Sequence, residues 1–263
     1  MSAGSTPGPT RVPPRGGLGS DTAKAVLFGV AIALLALSLV FPWWSESAAN
    51  PMSASETSTQ EYSPITGVTG TCSPGCTPAE EGPLPGPFQG IKTFSSLGLN
   101  ETGALYEGVL GLTIIGMASA ALALVAPFAA PLRARLRSFA PLAAIVASAL
   151  ASGLLAALQP VAYRMDNAAT FEDHGAWTAA PSPQTSFWGS CSPGPSNGIC
   201  TSGWSDSWGP GLGWYLVVGA ALVLMAIALL PVLRARRSRG PGAPTEKKDN
   251  TVDSVDASSE DAR

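Results

Sequence analysis

Charged side chains are scarce in this sequence, and their scarcity excludes most soluble folds. They make up 13% of 263 residues, about half the share of an ordinary globular domain. Histidine is nearly absent: His174 stands alone, so no second imidazole is available at metal-ligand spacing. There is no phosphate-binding glycine loop, no nucleophile elbow and no HExxH, which removes the common sequence signatures of nucleotide binding and hydrolysis. Cysteine is missing from every segment expected to face the cytoplasm.

What the chain has instead is apolar residues in blocks. Four uncharged windows, 25–45, 108–132, 138–163 and 207–233, each hold an apolar core of about 20 residues, enough for a helix to cross a bilayer. The first window is too long for the apolar region of a cleavable leader and is expected to stay as a span. The fold class expected is therefore an all-α integral membrane protein. It would be a bundle of four transmembrane helices with two disulfide-bearing extracytoplasmic loops and room for some β structure in the second. The spans fall at 25–44, 104–130, 139–159 and 212–233. They are separated by an outer loop at 45–103, an inner loop at 131–138 and a second outer loop at 160–211. Tails at 1–24 and 234–263 read as disordered and cytoplasmic. The Ser/Thr stretch and the Pro/Gly stretch of the first loop predict little regular structure.

Basic residues set the direction. Arg133, Arg135 and Arg137 lie in the inner loop, and Arg234, Arg236, Arg237 and Arg239 follow the last span. With the ends of the second helix included, the outer segments hold only Lys92 and Arg164 against eleven acids. By the positive-inside rule both termini are cytoplasmic, in a plasma or inner membrane. All seven Trp and all four Tyr fall on the outer side. Trp43, Trp44, Tyr106, Tyr163, Trp214 and Tyr215 are placed as anchors at the outer interface. Trp177, Trp188, Trp204 and Trp208 lie inside the second loop and are candidates for a small core or a partner-binding patch.

The third span predicts its own packing. Ala140, Ala144, Ser148, Ser152 and Ala156 recur every four residues, with Leu142, Val146, Leu150, Leu154 and Leu158 across the helix. The small face is expected to meet other helices and the large face lipid. No span carries an ionisable residue at mid-membrane depth, which argues against proton or ion pumping.

The four cysteines lie outside, two per loop: Cys72 and Cys76, then Cys191 and Cys200. That placement predicts structural disulfides in an oxidising compartment. Three pairings are open; pairing within each loop is simplest, because Ser73-Pro74-Gly75 is a turn sequence. Gly70-Thr71-Cys72-Ser73-Pro74-Gly75 is echoed by Gly189-Ser190-Cys191-Ser192-Pro193-Gly194, which raises the question of a duplicated hairpin.

In layout the chain is similar to bacterial quinone reductases of the DsbB type, with four spans, cytoplasmic ends and a cysteine pair per outer loop. That resemblance implies thiol-disulfide exchange, with Cys72 and Cys76 as the exchanging pair, Cys191 and Cys200 as the relay, and a quinone as cofactor. The chain departs from the family in spacing its first pair CxxxC and in setting it far from the second helix. Claudin-type tetraspan proteins are similar in their disulfide-bearing first loop, but their W-GLW-C-C signature is absent. The leading expectation is a non-catalytic multi-pass membrane protein with no cofactor and no metal. Its partners would be the lipid bilayer and other membrane or envelope proteins, with no nucleic acid. Exchange enzyme and accessory subunit of a transport or respiratory complex are the rival readings.

Overall fold

The computed structural model describes residues 18–49, 56–73, 88–126, 133–166, 185–192 and 205–238. Helix α1 (Leu18–Ser38) leads into strand β1 (Trp44–Ala49), followed by β2 (Thr57–Ser63), β3 (Gly67–Ser73) and β4 (Gly90–Lys92). A single 3-10 turn (Ser95–Leu97) precedes α2 (Asn100–Val125) and α3 (Arg133–Asp166). Strands β5 (Gly189–Cys191) and β6 (Ser205–Pro210) then lead into α4 (Leu212–Ser238). Residues 229–263 form a unit of their own, of which only the final turns of α4 are described.

The all-α expectation is overturned. The two loops expected to lie outside, 45–103 and 160–211, together build one antiparallel sheet with six described strands in the order β4-β3-β2-β1-β6-β5. The first loop, expected to be largely irregular, contributes four of them. Its Ser/Thr composition conceals strand chemistry: Thr57, Thr59, Val68, Thr69 and Thr71 are β-branched and suit a pleated surface. The β2–β3 hairpin closes through Pro64, Ile65 and Thr66, with Ser63 opposite Gly67. Gly67 takes φ 84°, a left-handed position where a side chain is disfavoured. A β-carbon there would also strike the Lys92 carbonyl.

Three helical stretches, Asn100–Val125, Phe139–Asp166 and Leu212–Leu230, are long and apolar enough to cross a membrane. The apolar part of α1, Thr22–Ser38, is shorter. The helix stops at Ser38 because Pro42 disfavours helical backbone just before it. The Trp43 indole N–H then donates to the Ser38 carbonyl at 2.6 Å and satisfies a terminal acceptor.

Two clusters hold the first unit together. In the first, Phe28 and Ala31 of α1, Ala120 and Ala123 of α2, Ala140 and Ala144 of α3, and Leu224 and Ile227 of α4 pack together. In the second, Trp44, Tyr62, Val68 and Trp208 of the sheet meet Leu35, Tyr106, Val109, Leu155, Tyr163 and Val217 of the helices. The sheet thus rests on the helices through a layer of aromatic rings. Gly211 and Gly213 let the start of α4 close on the turn before β1, where Gly213 N–H donates to the Pro42 carbonyl at 2.8 Å. A β-carbon at either glycine would collide with the Pro42–Trp43 backbone or the Trp43 ring.

On α3, Ala140, Ala144, Ser148 and Ser152 are buried and Ala156 is half-buried, while Leu142, Val146, Leu150, Leu154 and Leu158 are exposed. A β-carbon at Gly116 of α2 would lie 3.0 Å from Ser148 Oγ, so the two helices approach closely across small residues.

Candidate functional site

Paired residues of an antiparallel sheet point to the same side, and neighbours along a strand point to opposite sides. One face of this sheet therefore carries Trp44 and Glu46 of β1, Tyr62 and Gln60 of β2, Val68 and Gly70 of β3, and Trp208 and Asp206 of β6. This face looks onto the helices. Trp44 packs edge-on against Tyr62 at 4.9 Å between ring centroids and lies 5.9 Å from Tyr163. Tyr106 lies 5.0 Å from Phe94 and 6.5 Å from Tyr62. Trp44 N–H donates to the Phe187 carbonyl at 2.8 Å, and Trp208 N–H to that of Ser186 at 3.1 Å.

These rings correct the reading of Trp43, Trp44, Tyr106 and Tyr163 as interfacial anchors: all four are buried. Their polar tips bond inward or lie inside the core. Tyr215, in contrast, is exposed.

A carboxyl sits within this layer. Tyr163 donates its hydroxyl to Glu46 Oε2 at 3.4 Å. Burial pushes the Glu46 carboxyl up to about 7, the nearby Asp206 carboxylate adds to the rise, and the Tyr163 hydrogen bond opposes it. Burial raises Asp206 as well, and holds the Tyr62 hydroxyl well above its ordinary value. Below this layer, Tyr106 Oη, Thr102 Oγ1 and both amide atoms of Gln159 are buried with no hydrogen-bond partner among the described residues.

The N-terminus of α2 is closed from a distance. Asp166, the last residue of α3, accepts the Glu101 N–H at 2.7 Å and the Thr102 N–H at 2.8 Å. A carboxylate at that end satisfies two orphan donors and opposes the helix dipole.

The opposite face of the sheet is of another kind. Its central row runs Ser190, Ser207, Ser47, Thr59, Thr71 across five strands, each residue directly paired with the next. The row on one side continues with Ser205, Ala49, Thr57 and Ser73, and the row on the other holds Gly209, Ser45, Glu61, Thr69 and Ile91. Ser47 and Thr59 hydroxyls lie 3.2 Å apart. Over β2, β1, β6 and β5 the surface dips into a groove of about 490 Å³ lined mainly by Ser47, Thr57, Thr59, Ser190, Ser205 and Ser207, with Asp206 and Cys191 also in its lining. Apart from Glu61, no charged residue stands in these rows, and none is basic. A second groove, of about 460 Å³, lies between the β2–β3 turn and the start of α2, lined by Ile65, Thr66, Phe94 and Tyr106.

The singled-out tryptophans divide. Trp188 is 63% exposed and precedes β5, so strand alternation puts it on the hydroxyl side; a β-carbon on Gly209 would lie 3.3 Å from its own. Trp208, 4% exposed, is part of the core and fills the space over Gly189. Trp177 and Trp204 lie outside the described residues.

Cys72 and Cys191 are not free thiols. Register places both in one row, Cys72–Ser58–Ala48–Asp206–Cys191, four strand spacings apart. At ~4.8 Å per spacing they are about 19 Å from each other, which excludes a bond between them. Cys76 and Cys200 lie outside the described residues. No group of three or more His, Cys, Asp or Glu able to hold a metal occurs among the described residues. Arg133, Arg135 and Arg137 open α3, Arg234, Arg236 and Arg237 fall in the last turns of α4, and Arg239 lies outside the described residues.

The chain matches no protein-family model, no curated protein and no solved structure.

Proposed function

We propose that this chain is a non-catalytic membrane protein that holds a six-stranded sheet on the outer surface of a plasma or inner membrane as a docking platform for envelope or membrane partners. The observation that carries the proposal is the contrast between the two faces of the sheet. One is committed to the helices through buried rings, and the other is an array of hydroxyls in which Glu61 is the one charged residue of the three rows among the described residues. A sheet serving only as a plug has no need of an ordered open face.

Large apolar side chains left exposed on the helices, such as Val30, Ile115, Leu150 and Leu222, support immersion in lipid. In this reading α1 is a fourth, shorter crossing, helped by the apolar Leu39, Val40 and Phe41 beyond its end. Both termini are cytoplasmic in this reading, which the arginines at 133–137 and 234–239 support. Structural disulfides involving Cys72 and Cys191, which are too far apart to bond to each other, belong to this reading. The exchange reading draws no comparable support, because Cys72 and Cys191 sit about 19 Å apart on strands β3 and β5.

The experiment is photo-crosslinking in intact cells from a probe residue at Ser207, compared with one at Leu150. A partner captured from Ser207 and not from Leu150 is the expected result. Equal capture from both, or none from Ser207, contradicts the platform.

A further inference from the structure

We infer that the hydroxyl face binds a neutral glycan, with Trp188 as its stacking residue and the Ser190–Ser207–Ser47–Thr59–Thr71 row as its hydrogen-bonding track. The inference rests on the platform reading above and names the chemistry of its occupant. Each Ser or Thr hydroxyl both donates and accepts, as each sugar hydroxyl does, so a row of them suits a polyol whose hydroxyls point either way. An acidic or basic track would fix one direction of bonding.

Charge selects against the other classes. Among the described residues the three rows have no Lys or Arg to neutralise phosphate or sulfate, and Glu61 in the rows with Asp206 in the groove lining is too little to recruit a cationic peptide. It is also too polar for an apolar helix or strand: Ala49 and Ile91 are the only aliphatic residues in the three rows. A neutral, hydroxyl-rich chain matches what remains.

The geometry provides a track rather than scattered groups. The row crosses five strands at ~4.8 Å intervals, about 19 Å in all, the reach of a short oligosaccharide. The groove over β2, β1, β6 and β5 takes in four of the five row positions, Ser190, Ser207, Ser47 and Thr59. At the β5 end Trp188 presents an exposed indole beside Gly209, its ring edge-on to that of Phe187 at 6.0 Å. An indole offers the flat apolar surface that packs on the C–H face of a pyranose ring.

The test uses the full chain in lipid nanodiscs and four probes: cellotetraose, mannotetraose and maltotetraose as neutral ligands, and a hyaluronan tetrasaccharide as the anionic one. Saturation-transfer NMR and tryptophan fluorescence read binding. At least one neutral tetrasaccharide is expected to bind, and hyaluronan is not. Trp188→Leu should abolish the fluorescence change. Thr59→Val together with Thr71→Val, which keep side-chain shape, should weaken binding about tenfold or more, corresponding to roughly one lost hydrogen bond. Unchanged thermal unfolding identifies variants that still fold; Ser190→Ala replaces any that do not.

Failure of all three neutral probes, equal binding of hyaluronan, or undiminished binding by the folded variants overturns the inference. Photo-crosslinking from Ser207 separates this failure from that of the platform. Capture of a protein there overturns the glycan and keeps the platform, whereas no capture with no glycan binding overturns both.

Discussion

Glu46 is the residue whose chemistry is most altered by its position. An isolated glutamate would be ionised at neutral pH; here, on the central strand and under the rings of Trp44, Tyr62 and Tyr163, the neutral acid is favoured up to about 7. The sign of the linkage follows. The unfolded chain loses this proton near 4.5 and the folded one near 7, so stability is full below about 4.5 and falls as pH rises to about 7. The loss amounts to at most roughly 3 kcal/mol. Glu46→Gln should flatten that portion of the curve of thermal stability against pH, and an unaltered curve would show that the carboxyl is solvated. Gln159 gives a prediction of opposite sense. Both its amide atoms are buried without a hydrogen-bond partner among the described residues, so Gln159→Leu should raise stability by about 1 kcal/mol, read as a higher melting temperature in detergent. A fall would mean that the amide is satisfied within the folded protein. Asp166→Ala removes the acceptor of two α2 amides and should cost about 1 kcal/mol, with faster hydrogen exchange at Glu101 and Thr102.

Among the elements, α2 and α3 meet through Gly116, Ala144 and Ser148, with Ser148 Oγ returned to the Ala144 carbonyl at 2.8 Å. Ala144→Leu with Ser148→Leu should separate the helices and cost several kcal/mol, whereas Leu150→Ala on the exposed side should leave the melting temperature nearly unchanged. The helices were legible in the sequence because apolar runs of this length have few other uses, and the small-residue row of α3 could be read from its period. Of the sheet, only β5 and β6 fell where some β structure was expected, and the strands of the first loop were not legible. Its open face is built of Ser and Thr, so β1, β2 and β3 show no apolar alternation. Its buried face draws Trp44, Tyr62, Val68 and Trp208 from distant parts of the chain. The turn from Ser63 to Gly67 and the β-branched Thr57, Thr59, Thr69 and Thr71 were the available signals, outweighed by a composition that also describes disorder. The carboxyl beside Tyr163 had no signal, since Glu46 and Tyr163 are joined only by the fold. Trp188 stood out as a loop tryptophan, but nothing local distinguished it from the buried Trp208.

At the scale of the molecule, the two cysteine repeats fall on different kinds of strand, the internal β3 and the edge strand β5. Gly70–Ser73 ends β3 and Gly189–Cys191 forms β5, strands that run in the same direction, each followed by an antiparallel return strand on the way to a helix. The account as a whole depends on the sheet lying outside the membrane and the arginine-rich ends inside. Labelling intact cells with a membrane-impermeant amine reagent tests this directly, using Ser207→Lys on the hydroxyl face and the native Lys247 and Lys248 of the C-terminal tail. The account predicts that Lys at 207 is labelled in intact cells and that Lys247 and Lys248 are labelled only after permeabilisation. Labelling of Lys247 and Lys248 in intact cells, with position 207 protected, would contradict it.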